Sequence, residues 1–257
     1  MSVCAVSQDT PESKSPAVPQ YEVTEDEIQL PGVTISRVTS EVRIEAEACL
    51  ESGLLEYVVC RPGTFEHEAI FTTEAKPELV HAALLLTGLQ VNPQRPGLAE
   101  LWFETALKRE ASRVKVEVEW TVDEKVKRVP LVSLLQKRVE PGEEEPDGKK
   151  RKDSSVKEAW VFAGSFIHQN PETGERIYAA NRSGILVGIW PNPTTVIQYG
   201  IAEGNPYEGK NLGMAIREDQ VPPKGTKVQL IFSKGGSPAQ PTNKRAGQSK
   251  ANERQSK

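Results

Sequence analysis

The sequence predicts an α+β domain that is mainly antiparallel β-sheet, with one main buried helix at about residues 77–87 and disordered termini. Several segments in which apolar and polar residues alternate indicate the sheet. Pro77 at the start, an apolar body and Gly88 at the end indicate the helix. Long polar stretches without large apolar residues indicate the disordered ends.

The composition is that of a chain with one core and polar ends. Of its 257 residues, 37% are hydrophobic, 26% charged and 6% aromatic, which is enough for one sizeable core. Aromatic residues are too sparse for a base-stacking surface, so we expect no specific nucleic-acid binding. No apolar run approaches the roughly 20 residues of a membrane helix, so no transmembrane segment is expected. Three cysteines are too few for a disulfide scaffold or a Cys-rich zinc module.

Three charged segments divide the chain. Residues 1–29 carry one lysine and six acidic residues and are interpreted as a disordered acidic arm. Residues 235–257 are rich in Gly, Ser, Pro, Gln and Lys and are interpreted as a disordered basic tail. Residues 30–234 are predicted to form a single domain. It carries a charged loop at about 138–157, where acidic and basic blocks are flanked by Pro and Gly.

The start of the chain leaves two interpretations of Cys4. The sequence as given has no charged start followed by an apolar stretch, and therefore no secretory signal. In one interpretation, the start codon is misassigned and lies just upstream of a lipoprotein cysteine. The chain would then begin, as this one does, with a cysteine followed by a polar arm, and Cys4 would carry a lipid anchor. The other interpretation is an ordinary free thiol, which is favoured because Val3 is larger than the residue that usually precedes a lipidated cysteine.

The first strands are predicted to form a hairpin. Residues 42–50 alternate, a turn follows at 51–53, and residues 54–60 return. A three-residue turn places Ile44 opposite Cys60.

The later elements are mostly strands. The apolar run at 82–86 suggests a helix that is covered on more than one side. The clearest alternation of apolar and charged residues spans residues 114–120 and predicts a strand. A short helix is predicted at 129–136. Further strands are predicted at 68–73, 159–166, 176–180, 185–190 and 226–232, with a turn at 170–174 that joins the second and third into a hairpin.

One cluster of side chains has donors that bind metals. It consists of Cys60, His67, Glu68 and His81, which lie within 22 residues of one another, and zinc or copper accepts S, N and O donors of these kinds. Neighbouring side chains of a strand point to opposite faces, so His67 and Glu68 cannot share one metal in a regular strand. A metal site therefore uses Cys60, His67 and His81, or includes Glu68 through a bulge.

The same residues have other interpretations. Cys60 could be a small hydrophobic residue on the apolar face of the hairpin, and His81 could bond to a neighbouring loop. Cys60 and His67 could form a nucleophile and base, although no third orienting residue stands out. In the predicted hairpin the Cα atoms of Cys49 and Cys60 are roughly 16 Å apart, too far for a disulfide. The chain contains no G-x-S-x-G, G-x-G-x-x-G or P-loop motif.

Several segments together resemble the YdjY-type domain, a family seen in many planctomycete proteins of unknown function. The matching segments are Cys60–Gly63, Glu66–Glu68, His81–Gly88, Val116–Trp120, Trp160–Ser165 and Pro171–Gly174. They extend over most of residues 30–234 in a distinctive order. Members usually have a signal peptide or a lipoprotein start, so the resemblance implies a protein of the cell envelope or a secreted protein. The family brings no established activity.

These observations lead to three hypotheses of function. The first is a non-catalytic envelope or secreted domain with a binding or structural role, which we favour over an enzyme. The second is a metal-binding or thiol-based redox protein that uses Cys60, His67 and His81, with zinc or copper. The third is a Cys-dependent hydrolase or transferase. The sequence identifies no catalytic residue, no cofactor-binding residue, and neither ligand nor protein partner.

Overall fold

The computed structural model describes residues 21–94, 97–138, 156–203 and 213–236. The first nine strands are β1 (Glu22–Val23), β2 (Glu27–Leu30), β3 (Val33–Ser36), β4 (Val42–Ala48), β5 (Leu54–Leu55), β6 (Tyr57–Cys60), β7 (Phe71–Thr72), β8 (Arg113–Val122) and β9 (Lys125–Pro130). The others are β10 (Leu135–Lys137), β11 (Trp160–Phe162), β12 (Ile167–Gln169), β13 (Arg176–Tyr178), β14 (Ile185–Gly188), β15 (Ile197–Tyr199), β16 (Met214–Ile216) and β17 (Lys227–Lys234). The helices are α1 (Pro77–Leu86), α2 (Ala99–Ala106) and α3 (Ala179–Ser183), with 3-10 turns at Glu110–Ser112 and Leu131–Leu134.

Eight strands close into a barrel. They pair in the order β4-β17-β8-β11-β15-β14-β6-β7, and the pairing of β7 with β4 completes the ring. The pairs β14–β15 and β6–β7 are parallel, and the other six are antiparallel. The mainly antiparallel sheet agrees with the sequence prediction, whereas the closure is a feature that the sequence does not predict. Strands β1–β3 extend the sheet from β4, and β9 extends it from β8.

The long strands of the barrel show the predicted alternation. In β8, Val114, Val116, Val118 and Trp120 are buried and the residues between them are more exposed. The predicted closing strand is confirmed as β17, which lies between β4 and β8 with Leu230 opposite both Ile44 and Val118. Their buried side chains belong to one contiguous apolar core.

The more exposed face of these strands carries ion pairs. Arg128 of β9 bridges two carboxylates, with its Nη2 2.7 Å from Glu41 Oε1 and 2.7 Å from Glu117 Oε2. Arg43 of β4 lies 2.7 Å from the other oxygen of Glu41. Arg128 therefore joins β9 both to β8, its backbone partner, and to the start of β4 through charge.

The predicted hairpin of residues 42–50 and 54–60 is wrong. Strand β4 pairs with β3, β17 and β7, while β6 pairs with β14 and β7, so that Cys60 lies opposite Ile185 and Thr72. All four residues of β6 are buried. A strand covered on both faces has no period of two, and its sequence therefore does not indicate its register or its partner.

The predicted helix is confirmed as α1, but its burial is one-sided. Val80, Ala83 and Leu84 are buried, whereas Leu85 and Leu86 are 47% and 63% exposed. The apolar run at 82–86 therefore does not indicate cover on more than one side. The helix α2 is not predicted by the sequence, and packs Trp102 and Ala106 against Val161 and Ala163 of the barrel wall.

The predicted turn at 170–174 forms, but between different strands. It joins β12 to β13, with His168 opposite Ile177. The preceding strand β11 pairs instead with β8 and β15. The short helix predicted at Pro130 is the 3-10 turn Leu131–Leu134.

The boundaries of the described fold differ from the predicted domain at its first strands. Strand β1 and all of β2 except Leu30 lie within the predicted arm of residues 1–29, and the two strands pair with each other. Residues 1–20, including Cys4, most of the charged loop (139–155) and most of the basic tail (237–257) lie outside the described residues. No helix in the described ranges is long and apolar enough to cross a membrane.

Candidate functional site

Cys60 ends β6 in a small apolar cluster. Its side chain is fully buried and packs with Tyr57, Ala69 and Ile185, with Phe65 alongside. Burial raises the pKa of the Cys60 thiol, and the hydrogen bond to Thr64 opposes this shift. The thiol is therefore protonated at neutral pH and is a poor nucleophile. The interpretation of Cys60 as a small buried hydrophobic residue fits this environment, although its neighbours are not those of the predicted hairpin.

His67 lies in the turn between β6 and β7 and points to solvent. Its side chain is 71% exposed, and its Nε2 lies 3.3 Å from Oε1 of Glu68. The expectation that these two side chains point apart assumed a regular strand. Residues 61–68 form turns instead, so the alternation rule does not apply to them.

His81 lies in the second turn of α1 and contacts an aromatic cluster. Its Nδ1 is 2.8 Å from the Tyr178 hydroxyl, which donates a hydrogen bond of 2.9 Å to the carbonyl of Gly164. Its ring is edge-on to Phe162, with centroids 5.0 Å apart. Burial lowers the pKa of His81, and the nearby Gly164 carbonyl opposes this in part. His81 therefore holds α1 against the loop after β11.

The structure places the four predicted ligands in three separate environments. Within the described ranges, no group of three or more His, Cys, Asp and Glu side chains could hold a metal ion. The set Cys60, His67, Glu68 and His81 is divided among an apolar cluster, an exposed turn and a helix that faces Tyr178. Cys49 and Cys60 are free cysteines. Cys60 and His67 likewise lack the pairing that a nucleophile and its base require.

A cavity that the sequence does not reveal lies beside β8 and β11. Its volume is about 650 Å³. We call it the β8–β11 cavity, and its lining residues are Leu107, Arg113, Val114, Lys115, Lys157, Glu158, Ala159, Trp160, Ile201, Gly235 and Gly236. Apolar side chains thus alternate with a few charged ones, as in many sites for small molecules.

Two N–H groups of residues that line the cavity are closed to solvent and have no hydrogen-bond acceptor among the described residues. They are Nε1 of Trp160, a residue that is only 1% exposed, and Nη1 of Arg113. The nearest charge to Arg113 Nη1 is Glu110 Oε1, at 3.8 Å. The other guanidinium nitrogens of Arg113 are satisfied, since Nε and Nη2 both donate to the carbonyl of Leu107. Buried donors without acceptors are rare in proteins and each one requires an explanation.

The one carboxylate in the wall is already engaged. Strand β11 pairs with β8 only at Arg113 and Val114, and beyond them Oε1 of Glu158 accepts a hydrogen bond of 3.2 Å from the backbone N–H of Val116. Desolvation raises the pKa of Glu158 and the Val116 hydrogen bond opposes this. Glu158 therefore replaces a missing strand partner.

The charged groups of the wall are largely balanced. Arg113, Lys115, Lys157 and Glu158 line the cavity. Arg113 lies 3.8 Å from Glu110, and Lys115 pairs with Glu117 at 2.9 Å. The cavity therefore combines apolar walls with charged groups of both signs.

Sequence reasoning missed this site for a physical reason. Its wall is assembled from segments separated by as many as about 130 positions in the chain, and strand pairing alone brings them together. The one signal in the sequence that pointed to this site was Trp160, which begins one of the segments that resemble the YdjY-type domain.

The fold and the cavity define a closed-barrel α+β domain with a ligand-sized recess in its wall. The model of the YdjY domain matches residues 33–233, and the chain belongs to this family. No curated protein and no solved structure matches the chain.

Proposed function

We propose that this protein is a non-catalytic binding domain of the cell envelope or the secreted space, and that the β8–β11 cavity holds its ligand. The observation that carries the proposal is the cavity, whose volume of about 650 Å³ lies within the range of roughly 300–1,000 Å³ for small-molecule sites.

The environment of the described cysteines supports binding rather than thiol catalysis. Burial raises the pKa of Cys49 to about 12 and also raises that of Cys60. Catalytic and redox-active thiols need the opposite environment, in which the thiolate is stabilised.

The location of the protein is proposed from the family resemblance. It is tested by fractionating the native host and identifying the mature N-terminus by mass spectrometry. Recovery from the envelope or the medium, with or without lipid on Cys4, supports the proposal. An intact, unmodified chain found only in the cytosol would contradict it.

The binding role is tested with an uncharged apolar probe, 1-decanol, in calorimetric titrations of the full chain. We expect saturable binding with one probe per chain, and chromatography should recover the probe unchanged. Absence of binding would contradict the cavity as a ligand site. Conversion of the probe would contradict a non-catalytic role.

Blocking variants locate the binding. A Cβ at Gly236 would meet no atom within 4 Å, so Gly236→Trp adds bulk at the cavity without a clash at its first carbon. Ile201→Trp adds bulk from another wall. Both variants should weaken 1-decanol binding at least tenfold. The matched control Thr121→Trp, at an exposed position of β8 outside the cavity, should not.

A further inference from the structure

We infer that a recess beside α3 binds a small organic carboxylate with a compact apolar body. The inference goes beyond the proposed function, because this recess and the β8–β11 cavity share no lining residue. Its volume is about 380 Å³, which lies within the roughly 300–1,000 Å³ of small-molecule sites. We call it the α3 recess, and its lining residues are Phe166, His168, Ile177, Ala179, Arg182, Ser183 and Thr194.

Strand alternation places one face of the β12–β13 hairpin in the α3 recess. Phe166 directly precedes β12 and lies two positions before His168, and His168 lies opposite Ile177. These three side chains therefore share one face of the hairpin. Gln169 and Arg176 form the next pair of the hairpin, belong to its other face and do not line the recess.

Hydrogen bonds fasten the hairpin to α3. The N–H of Ala179 donates to the carbonyl of Phe166 at 2.8 Å. The N–H of Ala180 donates to the Ser165 hydroxyl oxygen at 3.1 Å. Ser165 itself has a φ of +52°, which residues other than glycine seldom adopt. The walls are thus held in place before any ligand arrives, and binding requires little ordering of the protein.

Arg182 gives the α3 recess a positive charge that no described residue neutralises. Its side chain is exposed, and its guanidinium makes no hydrogen bond or ion pair with another described residue. None of the described lining residues carries a carboxylate. Glu78, whose N–H donates to Asn181 Oδ1, and Glu175, directly before β13, do not line the recess. A guanidinium that is accessible and unpaired can form two parallel hydrogen bonds with a carboxylate.

The two hydroxyl groups of the recess are engaged within the protein. The hydroxyl oxygens of Ser183 and Thr194 lie 2.9 Å apart, and the Thr194 hydroxyl also lies 2.8 Å from Asn192 Oδ1. Each hydroxyl hydrogen therefore has an acceptor in the protein already. The anionic group of the ligand is thus expected beside Arg182.

The apolar part of the recess requires an apolar body. The Phe166 side chain is 37% exposed and Ile177 is half-buried. Inorganic phosphate would leave this surface in contact with water, whereas a phenyl group covers it and packs favourably with the ring of Phe166. The recess thus favours an organic carboxylate over a small inorganic anion.

The experiment compares three probes with the same phenylpropyl body and different charges. They are 3-phenylpropionate, 3-phenylpropanamide and 3-phenylpropylammonium, each titrated into the full chain and followed by backbone N–H NMR signals. We expect 3-phenylpropionate to bind at least about fivefold more tightly than the amide, and the ammonium probe to bind most weakly. The net charge of −4 acts in the opposite direction, so a preference for the anion must arise locally. Equal affinities, or no saturable binding of 3-phenylpropionate, would overturn the inference.

The same titrations in Gly236→Trp separate the two sites. Binding to the α3 recess should be unchanged in this variant, because Gly236 lines the other cavity. Loss of 3-phenylpropionate binding in Gly236→Trp would place the probe in the β8–β11 cavity, which would overturn this inference and leave the proposed function standing. Failure of 1-decanol to bind would contradict the proposed function alone.

A charge reversal tests the role of Arg182. Arg182→Glu should weaken 3-phenylpropionate binding at least about tenfold and tighten 3-phenylpropylammonium binding. A misfolded variant cannot produce that gain. The matched control Arg176→Glu makes the same change at an exposed position on the other face of the hairpin, and should alter either affinity by less than about threefold. Equal effects of the two reversals, or an unchanged preference in Arg182→Glu, would overturn the inference.

Discussion

The Nδ1 atom of His81 lies 2.8 Å from the hydroxyl oxygen of Tyr178, and this contact joins α1 to the end of β13. The Tyr178 hydroxyl donates its single hydrogen to the carbonyl of Gly164. In this arrangement the hydroxyl accepts from His81, whose Nδ1 carries the hydrogen of the neutral ring. A protonated ring would make the same contact, because both nitrogens of a charged histidine are donors, so it is burial that disfavours the charged form of His81.

We predict that His81 makes the fold less stable in mild acid. Burial lowers the pKa of His81 below its ordinary value of 6.5, so the unfolded chain binds the proton more readily than the folded one. The free energy of unfolding should therefore decrease as pH falls from about 6.5 toward the lowered pKa of the folded state. Urea denaturation between pH 7.5 and 5 measures this.

The matched variant for this prediction is His81→Gln, which cannot titrate in that window. It should have a smaller pH dependence between pH 7.5 and 5 than the native chain. The matched control His168→Gln changes an exposed residue of β12 and should leave the dependence intact. Identical pH profiles for the native chain and His81→Gln would contradict the account.

We predict that Gly164→Ala destabilises the protein through two effects. Gly164 has a φ of +79°, and an added Cβ would lie 2.5 Å from Cγ1 of Val91. The expected loss is about 1–3 kcal/mol in the free energy of unfolding, since both the conformation and the contact are unfavourable. In a Val91→Ala chain, Gly164→Ala meets no clash but keeps the unfavourable φ. The loss of unfolding free energy caused by Gly164→Ala should therefore be smaller in that chain than in the native one. Equal losses in both chains would show that the contact with Val91 is not the cause.

The Arg128 bridge should contribute to stability at neutral pH and less in acid. Burial alone would raise the pKa of Glu41 and of Glu117, but Arg128 holds both below their ordinary value. Carboxylates with lowered pKa stabilise the folded state above their unfolded pKa, and this contribution is lost as pH falls through the folded pKa. Arg128→Met should therefore lose about 1 kcal/mol at pH 7 and progressively less below about pH 4.

The control for Arg128→Met is Lys125→Met, on the same strand and exposed. Its free energy of unfolding should stay within about 0.5 kcal/mol of that of the native chain. An Arg128→Met variant that loses the same stability at pH 7 and at pH 3 would show that the carboxylates are not the cause.

The thiols of Cys49 and Cys60 should be unreactive in the folded protein. Burial raises the pKa of both, and the thiol of Cys49 also donates to the carbonyl of Ala69 at 3.2 Å. In a Cys4→Ser chain, reaction with a thiol reagent at pH 7.5 should be at least about 100-fold slower than in urea, because little thiolate forms. Rapid alkylation of the native Cys4→Ser chain would instead favour a thiol-dependent activity.

The sequence predicted those parts of the fold whose burial is one-sided. The alternation in β8 and β17 and the Pro77 start of α1 are local signals, and each corresponds to an element in the structure. Strand β6 is buried on both faces, and no local signal indicates its partners β14 and β7. The wrong partner for β6 placed Cys60 beside Ile44, and the proposed chemistry of Cys60 depended on that placement.

The candidate site could not be predicted for a related reason. The cavity depends on where β11 stops pairing with β8, and Glu158 occupies that gap through a side-chain bond to Val116. Such a gap is a property of two strands together. Neither strand shows it in its own sequence.

The most direct test of the central claim follows the indole N–H of Trp160 by NMR. The side-chain N–H signal of Trp160 is identified among those of the four tryptophans by its loss in Trp160→Phe. On titration with 1-decanol, this signal should shift in a saturable way, because Trp160 lines the cavity. In Gly236→Trp, where the cavity is blocked, it should not move. A Trp160 signal that stays in place while 1-decanol binds would show that the ligand lies elsewhere, and the β8–β11 cavity would no longer be the binding site.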